Sequence, residues 1–367
     1  MTGPTDAVAY ARIRYRLLLA NLVCGLAFLA ACQASGCSVS LARWWAARVS
    51  APSLVLLGYL AVFGAAYYLV LLPLHFYGSF LLEHRFGLSR LTLAGWGVRE
   101  LKKLALSAAL GGLMMEGLYA LIRYAPESWP IWATLGWVTV SIVMARVFPT
   151  ILLPIFYKTT PLQNDELVSR LLDLCRRTGL SALGVFRFDL GAETRKANAA
   201  LAGLGKTRRV LLADTLLSEF TPDEIEGVLA HELAHHRFHH ITKLLLISAA
   251  GSWAAFWLTG WAGHRWVDAL GLVGLSDAAG VPILLLWLSV LGLLGLPVQN
   301  GLSRRFEWQA DRFAVHMSAA PGAFAAALRR LAQLNLADPN PPRWITWLFY
   351  DHPPIMERIQ AAEHAAP

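Results

Sequence analysis

Six stretches of the chain are apolar over a length that suits a bilayer crossing. They run from about Leu17 to Ala34, Leu54 to Phe76, Leu104 to Ile122, Ile131 to Phe156, Leu244 to Ala262 and Pro282 to Val298. A helix needs about 20 apolar residues to cross the hydrocarbon, where only helices and closed barrels satisfy every backbone group. The pattern predicts a mainly α, multi-span helical membrane protein with about six spans. Pro149 and Pro154 interrupt the fourth stretch and each removes an amide donor, so a bend or a break is expected there. A break would add a short seventh segment.

The polar residues between the stretches give an orientation. Arg12, Arg14 and Arg16 precede the first stretch, and Arg85, Arg90, Arg99, Lys102 and Lys103 separate the second from the third. The alternate loops hold only Arg43 and Arg48, then Arg123, then Arg265. Basic residues favour the cytoplasmic side, so both termini and the long polar segment from Tyr157 to Ile241 are expected inside. That segment is basic as well, with Lys158, Lys196, Lys206, Arg208 and Arg209 among its cations, but the rule weakens with length and the short loops carry the inference.

Within the polar segment the period changes. Leu167, Leu171, Leu172 and Cys175 give helical spacing over Asp165 to Thr178, which Gly179 ends. Val185 to Leu190 and Arg209 to Ala213 are short and apolar and read as strands flanking Ala197 to Leu201. A helix follows from Pro222, with Thr221 as N-cap and Glu224 as its capping-box partner.

Composition agrees with the membrane assignment, because 56% of the 367 residues are hydrophobic and only 15% are charged. The net charge of +8 raises the question of nucleic acid. The cations sit beside the spans without base-stacking aromatics, so the lipid bilayer is the expected partner and nucleic acid is not. Cys24, Cys32, Cys37 and Cys175 lack metal-ligand spacing. Leu29-Ala30-Ala31-Cys32 behind the N-terminal arginines also fits a lipobox, yet an uncleaved first span is preferred because membrane helices often end in small residues.

The sequence HELAHH, starting at His231, falls on the helix from Pro222. His231 and His235 are four apart and share a face, with Glu232 beside the first. In an H-E-x-x-H arrangement two neutral imidazoles take up zinc, and the glutamate removes a proton from zinc-activated water. Two surface histidines on a helix are the plainer alternative. A catalytic zinc needs a third protein ligand. Beyond the sixth stretch, Glu307 and Asp311 are again four apart, so Glu307 is the candidate ligand and Asp311 a candidate acceptor for the second ring N–H of a ligand histidine. His236 points off the ligand face, so one metal is expected. Glu116 lies inside the third stretch, either beside a hydrated cavity or bonded between helices.

These segments together resemble the type I CAAX prenyl proteases, multi-span zinc metallopeptidases with bacterial relatives. The resemblance covers most of the chain and rests on LPLHFYGSFLLEHRFGL from Leu72, PIFYKTTPLQNDEL from Pro154, KANAALAGLGKTRRVLLADTLL from Lys196, Asp223 to His240, Ser303 to Ala314, and HPPIMER from His352. It implies a small α+β gluzincin-type zinc-peptidase domain with one Zn2+ per chain, held by His231, His235 and Glu307, with Glu232 as base. It further implies that Asn198 and Ala199 hold an extended peptide at a strand edge. His352 and Arg358 would steady the carbonyl oxygen as it gains charge.

The expected organisation is spans one to four over 1–156 with a cytoplasmic loop at 77–103, a peptidase core over 157–241, a transmembrane hairpin over 242–303 and a C-terminal peptidase segment over 304–367. The expected activity is zinc-dependent hydrolysis of a peptide or membrane-protein substrate, without a covalent acyl-enzyme. The Ala/Arg/Leu-rich composition suggests a bacterial inner membrane, where prenylated substrates are not expected; membrane-protein quality control of the HtpX kind is the alternative. A metallopeptidase-type sensor wants an outer ligand-binding domain, for which the loops at about Gln33 to Ser53 and Gly263 to Gly280 are too short. A transporter would leave HELAHH, Glu307 and His352 unexplained. The sequence sets no oligomeric state.

Overall fold

The computed structural model describes residues 4–203, 207–318, 320 and 322–365. Lys206, counted above among the cations of the polar segment, lies outside them. The membrane half starts with α1 (Pro4–Ala34), a short α2 (Cys37–Ala46) and α3 (Pro52–Phe76). A π turn at Tyr77–Leu81 carries α3 into α4 (Leu82–Arg85), and α5 (Leu93–Tyr124) and α6 (Trp129–Val147) follow. Helix α1 runs without a break through Leu29–Cys32.

The proline-interrupted fourth stretch does not break. A π turn at Phe148–Leu152 joins α6 to α7 (Leu153–Phe156), and the whole from Trp129 to Phe156 remains one rod. With α11 (His240–Leu270) and α12 (Val281–Met317), six helices among the described residues are long and apolar enough to cross a membrane. No seventh span forms among them. The helices outrun the apolar stretches, because a helix continues past the hydrocarbon as long as its backbone bonds are met.

The polar half has a four-stranded sheet of β1 (Thr159–Pro161), β2 (Val185–Phe188), β3 (Ala199–Ala202) and β4 (Arg209–Ala213). Their spatial order is β1-β2-β4-β3, with β2 and β4 parallel and β3 antiparallel to β4. Strand β3 is therefore an edge, with Ala199 opposite Leu212. The helices of this half are α8 (Asp165–Arg177), α9 (Asp214–Glu219), α10 (Pro222–Arg237), α13 (Ala323–Leu334), α14 (Arg343–Phe349) and α15 (Ile355–Ala365).

Both anticipated helix starts are capped. Asn164 accepts from the Leu167 amide at the head of α8, and Thr221 and Glu224 form the reciprocal capping box of α10. One core joins Leu171 and Leu174 of α8, Val210 to Leu212 of β4, Ile225 and Leu233 of α10, and Leu328 of α13. Burying each such side chain is worth about 1.5–3 kcal/mol, which fixes α10 against the sheet. A second core, with Leu56, Tyr59, Tyr119 and Leu284, lies within the helical bundle.

Candidate metal centre

Two helices deliver the donor atoms. His231 and His235 come from the C-terminal half of α10, and Glu307 comes from α12, which rises out of the membrane without interruption. Nε2 of His231 and Nε2 of His235 are 3.2 Å apart. Glu307 gives one oxygen to each ring: Oε2 lies 3.3 Å from His231 Nε2 and Oε1 lies 3.2 Å from His235 Nε2. Zinc bonds of about 2.0–2.1 Å at tetrahedral angles put ligand atoms about 3.3 Å apart, so the three edges suit such an ion. Glu307 is 3% exposed, and its Oε2 is buried without a hydrogen bond. Two imidazole nitrogens facing each other beside an unsatisfied carboxylate oxygen are what a cation would reconcile.

The surroundings set the ring tautomers. His231 Nδ1 lies 2.9 Å from Asp311 Oδ1, although its N–H is off the line a hydrogen bond needs. In the neutral ring, a proton on that nitrogen leaves Nε2 bare toward Glu307. His235 has a different partner: its Nδ1 is 3.3 Å from Nδ1 of His240, whose Nε2 is 3.1 Å from Oε1 of Gln309. The glutamine oxygen can only accept, so His240 carries its proton on Nε2, accepts from His235 at Nδ1, and leaves Nε2 of His235 free. His240 is wholly buried and stacks on Phe306 at 4.5 Å.

Asp311 has a second partner. Arg358 donates to it from Nε at 2.8 Å and from Nη2 at 2.7 Å, a bidentate pair, and Nη2 is also 3.6 Å from Glu307 Oε2. Arg358 is itself buried. His352 brings Nε2 to 3.3 Å from Glu307 Oε2 and holds Asp351 Oδ1 with Nδ1 at 2.8 Å. Burial pushes the His352 pKa down, but the carboxylates of Asp351 and Glu307 outweigh it and the net shift is upward. The imidazolium is thereby favoured, with an Nε2–H turned to the cleft.

That cleft has a volume of about 260 Å³ and is lined by Asn198, Ala199, His231, Glu232, His352 and Arg358 among others. A larger groove of about 900 Å³ passes Arg187, Asp214 and Phe220 but contains no member of the donor set. All the residues singled out from the sequence thus converge, apart from Glu116, whose Oε1 is buried in the bundle without a protein partner. His236 does face away: its Nε2 reaches the Leu201 carbonyl at 3.0 Å and ties β3 to α10. Asp351, Gln309 and the partnership of Arg358 with Asp311 were not foreseen. An acid directly before a candidate histidine was the available signal for the first.

Two histidines of α10 and a glutamate of α12, a helix long and apolar enough to cross a membrane, make the donor arrangement of an integral-membrane metallopeptidase. The family model of peptidase family M48 matches residues 161–366, and that of the CAAX prenyl protease N-terminal region with five membrane helices matches 5–158. The chain belongs to peptidase family M48. It is 29% identical to the metalloprotease YhfN of Bacillus subtilis, over 90% of this chain and 78% of that one. It is 28% identical to CAAX prenyl protease 1 of Saccharomyces cerevisiae, over 86% and 73%. The crystal structure of S. mikatae Ste24p shares the fold, with TM-score 0.88 at 24% identity over 98% of this chain and 88% of that one. The chain is therefore a multi-pass membrane metalloendopeptidase acting on peptides, and membership implies a metal, typically zinc.

Proposed function

We propose that the protein binds one Zn2+ per chain through His231, His235 and Glu307 and cleaves peptide bonds with Glu232 as general base. The convergence of the three donors beside a cleft that also holds Glu232 carries this reading. A bound divalent cation supplies Lewis acidity, making water nucleophilic near neutral pH and polarising the scissile carbonyl.

The protein's own residues do the rest. An extended substrate lies along the free edge at Asn198 and Ala199, where backbone bonds give affinity with little sequence demand. The Glu232 carboxylate takes the proton from the attacking water and returns it to the leaving amine. His352 donates from Nε2 to the carbonyl oxygen as charge develops, a kind of contact worth a few kcal/mol. Arg358 contributes its charge and holds Asp311 in place for His231. The peptidase core then comprises 157–241 and 304–367, with the spans of 1–156 and 242–303 as its membrane scaffold.

Glu232→Gln keeps the shape of the side chain and is expected to retain the metal while losing nearly all hydrolysis. Full activity in that variant would refute the base assignment, and unchanged metal content in Glu307→Ala would refute the ligand set. For location we propose the bacterial inner membrane with the site facing the cytoplasm. The relatives named CAAX prenyl proteases favour a prenylated peptide, and the bacterial composition favours unmodified membrane proteins in quality control. Offering the purified protein a farnesylated CAAX peptide and an unmodified transmembrane peptide separates the two.

A further inference from the structure

Two large side chains near the site are exposed for no reason that peptide hydrolysis supplies. Trp344 and Trp347 of α14 are 51% and 59% exposed, while Ile345 between them is fully buried. Residues three apart share a helix face, so the tryptophans form one apolar surface, with exposed Arg343 at its start. Tryptophan prefers the membrane–water boundary, where its ring is half in hydrocarbon and its N–H is wet.

The depth of α14 is fixed by two membrane helices. From α12, Asn300 donates to the Leu348 carbonyl at 2.7 Å and Arg304 to the Thr346 carbonyl at 2.9 Å. At a rise of about 1.5 Å per residue these lie about 3 and 9 Å beyond Val298, where the sixth apolar stretch ends. From α1, Tyr15 meets the Tyr350 hydroxyl at 2.7 Å and Asp338 at 2.8 Å, just ahead of Leu17 where the first stretch begins. The headgroup layer on each side is about 5–8 Å deep, so Asn300 lies within it and Arg304 at its outer edge, and with Tyr15 two independent markers put the C-terminal end of α14 at that layer.

We propose that α14 is an interfacial helix whose Trp344 and Trp347 insert into the headgroup boundary of the leaflet on the peptidase side. The lipid bilayer is the occupant of this face. The chain runs directly from Phe349 to His352, so the leaflet supports the segment that presents the His352 imidazole to the cleft.

The test uses the full chain with Cys24, Cys32, Cys37 and Cys175 replaced and its metal content checked. Trp344→Cys, Trp347→Cys or a reference Gln360→Cys on α15 is labelled with a nitrobenzoxadiazole fluorophore in phosphatidylethanolamine–phosphatidylglycerol vesicles. Quenching by doxyl-labelled lipid is expected to be severalfold stronger at 344 and 347 than at 360, with aqueous iodide giving the reverse order. Iodide quenching at 344 and 347 equal to that at 360, without lipid quenching, would show a face open to water and overturn the proposal. Protection from both quenchers would show a protein-covered face and overturn it equally.

Discussion

Buried imidazoles ordinarily lose their protons, and His231 is held the other way. Burial alone lowers its pKa, but the Asp311 and Glu307 carboxylates more than compensate and raise it to about 9. In the metal-free protein this proton stabilises the fold fully below the unfolded value of about 6.5, and the contribution is lost as pH rises through about 9. A metal bound at the proposed ligand set has to displace it. Metal affinity is therefore expected to fall about tenfold per pH unit below pH 9, with close to one proton released per metal at pH 7. Calorimetry in buffers of different ionisation enthalpy counts that proton; none released at pH 7 would contradict the His231 environment. The neighbouring ring gives a second expectation. Gln309→Leu removes the acceptor that fixes His240 and, through it, His235. Such outer contacts are worth about 10–100-fold in metal affinity, a loss that chelator competition measures and that Gln309→Glu, which keeps an acceptor, should largely restore.

Among the elements, α10 carries the most. Its capping box satisfies amides at one end, and its other end turns through His239 in the left-handed region at φ 57° before α11 enters the membrane. Thr221→Ala removes the cap and is expected to cost about 1 kcal/mol, seen as a lower thermal midpoint of the metal-loaded protein with the metal still bound. Periodicity made α8, α10 and the spans legible beforehand, because helix caps and apolar faces are local. Sequence spacing also paired His231 with His235 and Glu307 with Asp311, since residues four apart share a helix face. What it missed depends on contacts between distant segments. Nothing local joins Gln309 to His240 or Arg358 to Asp311, and hydropathy does not register the π turns or that α12 continues from span to site as a single rod. Asn198 and Ala199 needed the family resemblance, for an edge strand is defined by the absence of a neighbour.

At the scale of the molecule, the membrane bundle and the polar half are sewn together beside the proposed substrate edge. Glu83 of α4 is 9% exposed and accepts from Tyr10 of α1 at 2.5 Å and from Lys196 at 2.8 Å. The loop after it pairs with the polar half: Ser89 bridges Thr194, the Arg90 amide reaches the Glu193 carbonyl at 2.8 Å, and the Arg195 amide reaches the Leu88 carbonyl at 2.9 Å. Lys196 leads directly into Ala197, whose amide is held by Asn335 at 3.1 Å, and so into Asn198 and Ala199 at the cleft. Glu83 thus anchors one end of the proposed substrate edge to two membrane helices while touching none of the metal donors. Glu83→Ala leaves the Tyr10 hydroxyl without its acceptor and Lys196 without its carboxylate, with only the Tyr10 hydroxyl at 3.0 Å still accepting from Lys196, at a cost of about 1–3 kcal/mol to the fold. Its functional effect should fall on substrate binding: a several-fold higher KM with metal content unchanged and kcat reduced far less. Loss of metal from Glu83→Ala, or a fall in kcat with KM unmoved, would mean that the bundle supports the metal centre and not the edge.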